Sequence, residues 1–423
     1  MAAPPPPPPS SSSSSATAMN NNSSSNQSPS VTSTSSSSSS NAPKILLAKP
    51  TSTSTESSSS TLRSRLPPVG SLNLVSDSWD LHTDRVLPFL TENTDFTVIG
   101  IIGPPVVGKS TILNEIYGFD GNSSGMLPPF ATQSEETRAM ARHSTVGIEL
   151  RVSSERLILL DTQPIFSPSV LAEMMRPDGS STISLTNGEV LSADLAHEIM
   201  GIQLGVFLAS ICHVLLVVSE GVHDINMWHL MLTVDLLKHG IPDPSSLTPS
   251  YSQGANAGSE KENKDSLQEA GVEYLAAPVF VHTKLRDPDL SPDKAAWMRN
   301  KLSQYFSSSS FKETKSGNTT EEQNYSVGSP GINIDDLSST GLNLFLLPHR
   351  NQDDSQRAQY ESCVTLLGKL RDQMLSMKCR PFAKTVSERE WLKNTARIWE
   401  TVKSSPVIVE YCKTLQSSGM FRK

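Results

Sequence analysis

The sequence is short of charge and of apolar residues. Of its 423 residues, 18% are Asp, Glu, Lys or Arg and 36% are hydrophobic, against about 25% and 45–50% in ordinary globular domains. The two deficits together mark long polar, uncharged segments. The first charged residue is Lys44, and the Pro, Ser, Thr and Asn ahead of it carry too few apolar side chains to bury a core. The folded part is therefore expected to be nearer about 300 residues than the full length. Basic clusters are missing and the net charge is −8, which argues against a dedicated nucleic-acid binder. Cys212, Cys363, Cys379 and Cys412 have no CxxC spacing. That excludes a zinc ribbon and fits a reducing compartment without disulfides. No basic-then-apolar leader is visible, so no secretory signal is expected. One uncharged span, Ile199 to Ser219, is long enough to weigh as a membrane helix. Gln203, Ser210 and His213 within it, and the strand-like Val214 to Val218, favour a core helix followed by a buried strand. The expectation is a cytoplasmic protein without membrane contact. Catalytic sets are missing too: no Ser/His/Asp or Cys/His arrangement stands out, and His213, His223, His229 and His239 lack metal-ligand spacing.

Residues 1–70 read as a disordered low-complexity arm of polyproline and serine runs. Two apolar islands, Ile45-Leu46-Leu47 within the arm and Leu72-Asn73-Leu74-Val75 just after it, read either as random composition or as short motifs that fold onto a partner or onto the domain itself. Order is expected from near Trp79, with a helix over Leu81 to Leu90. Strands are expected at Phe96–Ile102, Val146–Val152, Arg156–Asp161, Val214–Val218, Val279–Thr283 and Leu342–Leu347. Helices are expected at Leu191–Ser210, Met227–His239, Pro292–Phe306 and Ser355–Met377. The Ser-Ser turn makes Val146–Val152 and Arg156–Asp161 a hairpin. Buried apolar strands alternating with helices predict an α/β fold: a mostly parallel sheet with helices on both faces, over residues 71–380. Segments 241–270 and 307–335 read as disordered insertions. Residues 381–423 read as a separate helical extension. There Ser387-Glu388-Arg389-Glu390 is a capping box with Val386 and Trp391 as its hydrophobic staple. Its Trp391 and Trp399 leave two readings, docking on the domain's own core or a partner surface.

The strongest motif is Gly103-Pro104-Pro105-Val106-Val107-Gly108-Lys109-Ser110. It matches G-x-x-x-x-G-K-[ST] and sits between an expected strand and an expected helix, the order a phosphate loop needs. Successive amides from Val107 to Thr111 would cradle phosphate oxygens at a helix N-terminus. Lys109 would supply charge to the terminal phosphates and Ser110 a hydroxyl to Mg²⁺. The ligand expected is a purine nucleoside tri- or diphosphate, ATP or GTP/GDP, with Mg²⁺. Asp161, at the end of an apolar strand some fifty residues on, is placed like the acid that holds Mg²⁺ in phosphate-loop proteins. Thr145 is a further candidate ligand for Mg²⁺ or the γ-phosphate.

The departures from GTPases are as informative. Their D-x-x-G reads Asp161-Thr162-Gln163-Pro164 here, and proline has no N–H to contact a γ-phosphate. Ile165, in the position of a water-orienting glutamine, cannot orient water. The base-reading [N/T]-K-x-D reads Thr283-Lys284-Leu285-Arg286. Thr283 and Lys284 fit, but Arg286 has no acceptor for guanine, and Asp287 is one residue late.

Val98 to Thr111, the run Leu157 to Ser169 with its Asp161-Thr162-Gln163-Pro164-Ile165-Phe166-Ser167-Pro168-Ser169, and Glu390-Trp391-Leu392-Lys393-Asn394-Thr395-Ala396 together resemble the ninth-SMG-factor family of nonsense-mediated mRNA decay. The resemblance covers most of residues 70 to 423. It implies a G-domain-like fold that pairs with a related G-domain-like subunit, the eighth SMG factor. With that subunit it would restrain a large phosphatidylinositol-kinase-like protein kinase. The expectation is thus a nucleotide-bound pseudo-GTPase, a regulatory subunit and not an enzyme. The alternative is an active NTPase of the large-GTPase type.

Overall fold

A computed structural model describes residues 72–119, 126–140, 142–175, 191–248, 273–311, 342–349 and 360–419. The arm with its Ile45–Leu47 island, most of the two insertions and the start of the helix expected from Ser355 lie outside these residues.

Seven strands form one sheet: β1 Asn73–Val75, β2 Thr97–Ile102, β3 Ile148–Val152, β4 Leu157–Thr162, β5 Val214–Glu220, β6 Ala277–Leu285 and β7 Asn343–Pro348. Their spatial order is β1-β3-β4-β2-β5-β6-β7. β3 pairs antiparallel with both β1 and β4, while β2, β4, β5, β6 and β7 run parallel. The expected β3–β4 hairpin is thus present, with Leu150 opposite Leu160. Nine helices are described: α1 Lys109–Tyr117, α2 Glu135–Ala139, α3 Pro168–Met174, α4 Ala193–Ile211, α5 Ile225–Leu237, α6 Pro292–Tyr305, α7 Cys363–Ser376, α8 Glu388–Lys403 and α9 Pro406–Ser417.

The apolar runs form strands buried on both faces, and alternate residues feed two cores. From β2, β4 and β5, the side chains of Ile99, Leu159 and Leu216 join Ile112 and Ile116 of α1 and Leu370 of α7. Val98, Ile158 and Leu215 join α4, α5, α8 and α9 on the other face. The mostly parallel α/β architecture with helices on both faces is as the sequence led us to expect.

α4 explains the uncharged span. It is apolar on nearly every side because the sheet, α5, α8 and α9 surround it. It is the one described helix long and apolar enough to cross a membrane, and 83% of its most apolar stretch is buried inside the protein.

Two expectations need correction, and two open readings are decided. Leu81 to Leu90 is not a helix. Leu81 bridges to Val75, Val86 and Leu87 both donate to the Thr83 carbonyl, and only Leu87–Phe89 forms a 3₁₀ turn. Pro88 supplies no N–H to an i→i−4 ladder, so a regular helix cannot run through it. For the Leu72–Val75 island the reading that holds is folding onto the domain itself: it is the edge strand β1 with Leu74 and Val75 fully buried. Residues 241–248 and 307–311, expected to be disordered, are packed. Asn394 Nδ2 donates to the Pro244 carbonyl at 2.7 Å, the Lys384 amide donates to Ser245 Oγ at 2.9 Å, and Phe311 is buried. Of the two readings left open for Trp391 and Trp399, docking on the domain's own core holds: both are fully buried. Trp391 Nε1 donates to the Ile211 carbonyl (2.9 Å) and Trp399 Nε1 to the Trp79 carbonyl (3.2 Å). Trp399 packs edge-on against Phe207 and Trp79 at 4.7 and 5.3 Å between centroids. Each such ring removes about 150–250 Å² from water, an upper bound of roughly 4–6 kcal/mol. The capping box is present in full: Glu390 N–H donates to Ser387 Oγ and Ser387 N–H to Glu390 Oε2. A helix with its amino end fixed this way presents its tryptophan face to α4, not to solvent.

A phosphate loop and its metal-side web

The central strand β2 ends at Ile102, and the chain turns through Gly103 to Gly108 into α1. The turn approaches β5 so closely that a Cβ on Gly103 would lie 2.3 Å from the Val218 carbonyl oxygen; no other residue fits there. Gly108 caps α1 with φ at 91°, a left-handed conformation natural to glycine. Val106 adopts φ of 65° although it is β-branched, a strained conformation that costs roughly 1–3 kcal/mol and collects at functional sites. Val107 anchors the loop in the core beneath. The first intrahelical bond runs from Ile112 N–H to the Gly108 carbonyl. The amides of Lys109, Ser110 and Thr111 are therefore free at the positive end of a nine-residue helix.

Lys109 lies almost wholly buried, with Nζ donating to the carbonyls of Gly103 (3.0 Å) and Pro104 (3.1 Å). Burial lowers its pKa to about 8, with the charge of Asp161 acting the other way. Asp161 is fully buried at the end of β4. Ser110 Oγ donates to its Oδ2 at 2.6 Å and Thr145 Oγ1 at 2.9 Å. Burial raises the Asp161 pKa, opposed first by Lys109 and then by the two hydroxyls. Its other oxygen, Oδ1, is buried without a partner. An orphaned carboxylate oxygen costs about 1–3 kcal/mol or more and asks for a cation or its water. The donor set of one carboxylate and two hydroxyls suits Mg²⁺, which keeps waters and phosphate oxygens as its other ligands. No cluster of three His, Cys, Asp or Glu occurs among the described residues, so a site for a soft metal is not built here. The three residues Ser110, Thr145 and Asp161, expected separately from sequence, thus come together on one atom.

A cavity of about 150 Å³ opens over this web. Pro105, Val106, Gly108, Lys109, Ser110 and Thr111 form one wall. The other is made of residues that sequence reasoning did not single out, Arg138, Arg142, His143 and Ser169 among them. His143 Nδ1 lies 3.0 Å from Ser169 Oγ, and its Nε2 lies 3.5 Å from Glu173. The only advance signal was local: these residues flank Thr145 and the distinctive run after Asp161.

The end of β4 offers the cavity no amide. The Gln163 N–H is spent on the Gly147 carbonyl (2.8 Å), Pro164 has none, and the Ile165 N–H donates to the Gly103 carbonyl (3.2 Å). Gln163 Oε1 accepts from the Gly147 amide at 3.0 Å, so that side chain locks β4 to the chain entering β3. Ile165 is buried against α4 near Gly201.

The base-side pair is built differently. Thr283 Oγ1 donates to the Ser219 carbonyl at 3.1 Å, and Lys284 Nζ pairs with Glu220 at 2.7 Å. Neither lines the phosphate cavity. Arg286 and Asp287 follow at the end of β6, where Asp287 opens a 3₁₀ turn. The structure therefore unites the residues expected to hold phosphate and metal, and leaves Thr283 and Lys284 outside the cavity they form.

No protein-family model matches the chain. Among curated proteins, the nonsense-mediated mRNA decay factor SMG9 of Xenopus tropicalis is 28% identical over 367 residues, covering 82% of this chain and 67% of the frog protein. SMG9 of Salmo salar is 27% identical over 365 residues, covering 81% of this chain and 67% of its own length. SMG9 of Caenorhabditis briggsae is 30% identical over 154 residues, 36% of this chain and 37% of the worm protein. The chain is thus similar to the SMG9 factors over about two thirds of the vertebrate proteins' length. Among solved structures, a septin GTPase domain from Chlamydomonas reinhardtii aligns at TM-score 0.30 and 12% identity, covering 76% of this chain and 98% of that one. The bacterial selenocysteine-specific elongation factor EF-Sec aligns at 0.28 and 10%, covering 66% and 28%. The G-domain-like assignment rests on the strand order and on the loop between β2 and α1.

Proposed function

We propose that this chain is a nucleotide-binding, non-catalytic subunit acting in nonsense-mediated mRNA decay. Its role in that reading is to pair with a second G-domain-like subunit, the eighth SMG factor. Together they restrain the phosphatidylinositol-kinase-like kinase of the pathway in the cytoplasm. The name carried by its relatives supports the pathway, and the free amides of α1 with Lys109 support the ligand. Lys109, Ser110 and Thr111 would hold the phosphates; Ser110, Thr145 and Asp161 would hold Mg²⁺, which screens phosphate charge.

One observation carries the non-catalytic half. Nothing at the end of β4 is placed to orient a water: Ile165 is apolar and buried, Pro164 has no N–H, and Gln163 is committed to Gly147. Without positioning of the attacking water, phosphoryl transfer loses one of the parts on which its catalysis depends. The nucleotide then acts as a structural ligand, stabilising the folded chain by mass action.

The test joins binding to turnover. Nucleotide released from denatured, purified protein is identified by chromatography, and multiple-turnover hydrolysis is measured on the same preparation. Retained nucleotide with turnover at the uncatalysed rate is the expected result. Lys109→Ala should reduce affinity by about 2–5 kcal/mol, the range for truncating one partner of a buried charge pair, and lower the melting temperature through lost ligand. Asp161 and Thr162 substitutions should leave kinase restraint intact wherever the complex assembles. Robust hydrolysis that tracks kinase control would replace this reading with the active NTPase.

A further inference from the structure

The terminal phosphate of a nucleotide held by the loop would face a wall that has changed hands. In a phosphate-loop site the end of β4 can supply a backbone N–H to the outermost phosphate. Here three successive positions withdraw it: Gln163 and Ile165 donate to the Gly147 and Gly103 carbonyls, and Pro164 has nothing to donate. The cavity nonetheless extends past Lys109 to a second wall. That wall carries Arg142, three residues before Thr145. The Arg142 guanidinium has no ion pair or side-chain hydrogen bond among the described residues, although the chain is acidic overall. Its main chain is fixed, because Gln133 Nε2 donates to its carbonyl at 2.7 Å. Beside it, His143 is held between Ser169 at 3.0 Å and Glu173 at 3.5 Å, with a buried ring. The Ser169 hydroxyl also meets Ser167 Oγ at 2.9 Å and lines the cavity.

We propose that Arg142 and the His143–Ser169 pair bind the terminal phosphate in place of the missing β4 amide, making this a site that discriminates nucleoside triphosphate from diphosphate. The inference rests on the nucleotide-binding reading above. An arginine fork suits a phosphate's oxygens in a way a single amide does not. His143 positions Ser169, and Thr145, on the same segment, ties the wall to Asp161 Oδ2. The Arg142-to-Thr145 segment thus links the outermost phosphate to the metal side of the site by side chains alone.

Affinity of the full-length protein for a non-hydrolysable triphosphate analogue and for the matching diphosphate, each with Mg²⁺, tests this by calorimetry. The unaltered protein should bind the triphosphate at least about tenfold more tightly, a difference of about 1.4 kcal/mol. Arg142→Ala should bring the two within about twofold, leaving diphosphate affinity unchanged. Arg142 is exposed, so its loss leaves the core intact. Ser169→Ala should reduce the preference partway, and Arg142→Lys should restore part of it. A preference that survives both alanine variants overturns the proposal. An equal loss of both nucleotides in Arg142→Ala also overturns it, by placing the arginine on the inner phosphates. Failure of the unaltered protein to bind either nucleotide would refute the nucleotide reading itself, a result distinguishable from both.

Discussion

Among the described residues two carboxylates are completely buried, and they sit at opposite ends of the parallel strands. Glu388 lies at the amino ends, where it receives the Thr91 amide at 2.7 Å, the Thr91 hydroxyl at 3.0 Å, Arg156 Nε at 2.7 Å and Arg156 Nη2. Asp161 lies at the carboxyl ends with two hydroxyls on one oxygen and nothing on the other. Glu388 has a cation in contact; Asp161 has Lys109 near it, but that ammonium is turned to two loop carbonyls. Both charges pay desolvation on folding. Glu388 is compensated within the chain and fastens α8 to the loop before β2. Asp161 is left incomplete, as a site is when its last partner comes from outside. Burial alone does not separate a carboxylate satisfied within the chain from one left incomplete; the accounting of each oxygen does.

The comparison can be broken in four ways. The largest effect is expected at Glu388. Glu388→Ala strands Arg156 and the Thr91 amide and should cost about 3–5 kcal/mol, seen in denaturant unfolding, with nucleotide affinity unchanged in the folded fraction. A cost below about 1 kcal/mol would mean that the amino-end pair is ornamental.

Next comes His213, also at the amino ends. Its Nδ1 accepts the Val98 amide at 3.0 Å, and burial lowers its pKa to about 4. Above the ordinary value of about 6.5 the ring is neutral folded and unfolded, and pH has no effect through it. Between about pH 6.5 and 4 the unfolded chain binds a proton that the folded chain refuses. Stability should therefore fall with falling pH, by up to about 3 kcal/mol in total. His213→Asn should be less stable at neutral pH but should lose that slope. An unchanged slope in the variant would assign the acid sensitivity elsewhere.

The base side should show a smaller effect. Without an acceptor at Arg286, adenine and guanine triphosphates should compete within about tenfold, or about 1.4 kcal/mol, with adenine equal or better. Strong guanine preference that disappears in Asp287→Ala would show Asp287 reading the base.

The smallest effect, and the one opposite in sign to Glu388, is expected at Asp161. Asp161→Asn removes a buried, half-satisfied charge, so the nucleotide-free protein should be unchanged or stabilised by about 1 kcal/mol, while Mg²⁺ ceases to improve nucleotide affinity. Destabilisation as large as that of Glu388→Ala would erase the distinction.

What was legible in the sequence was local. Strands β2, β4, β5 and β6 read as apolar runs because a strand buried on both faces has no polar side to show. The phosphate loop read from its glycines and Lys109, since only certain residues permit that backbone, and Ser387–Glu390 announced its own cap. Pro164 and Arg286 excluded particular hydrogen bonds simply by lacking the atoms. The helix expected at Leu81 failed because a local bridge to Val75, together with Pro88, outweighed the pattern. Other features required the chain to be folded. Trp399 reaches Phe207 and Trp79 across most of the sequence, and His143 meets Ser169 across 26 residues. Whether Asp161 Oδ1 would find a partner, and whether the Ile165 amide would be spent on Gly103, depended on where β2 and β4 brought their ends. Residue types set which bonds were possible. The packing of distant segments decided which were made and which were left open for a ligand, because a hydrogen bond or a buried ring contact is a matter of a few ångströms and sequence distance does not encode them.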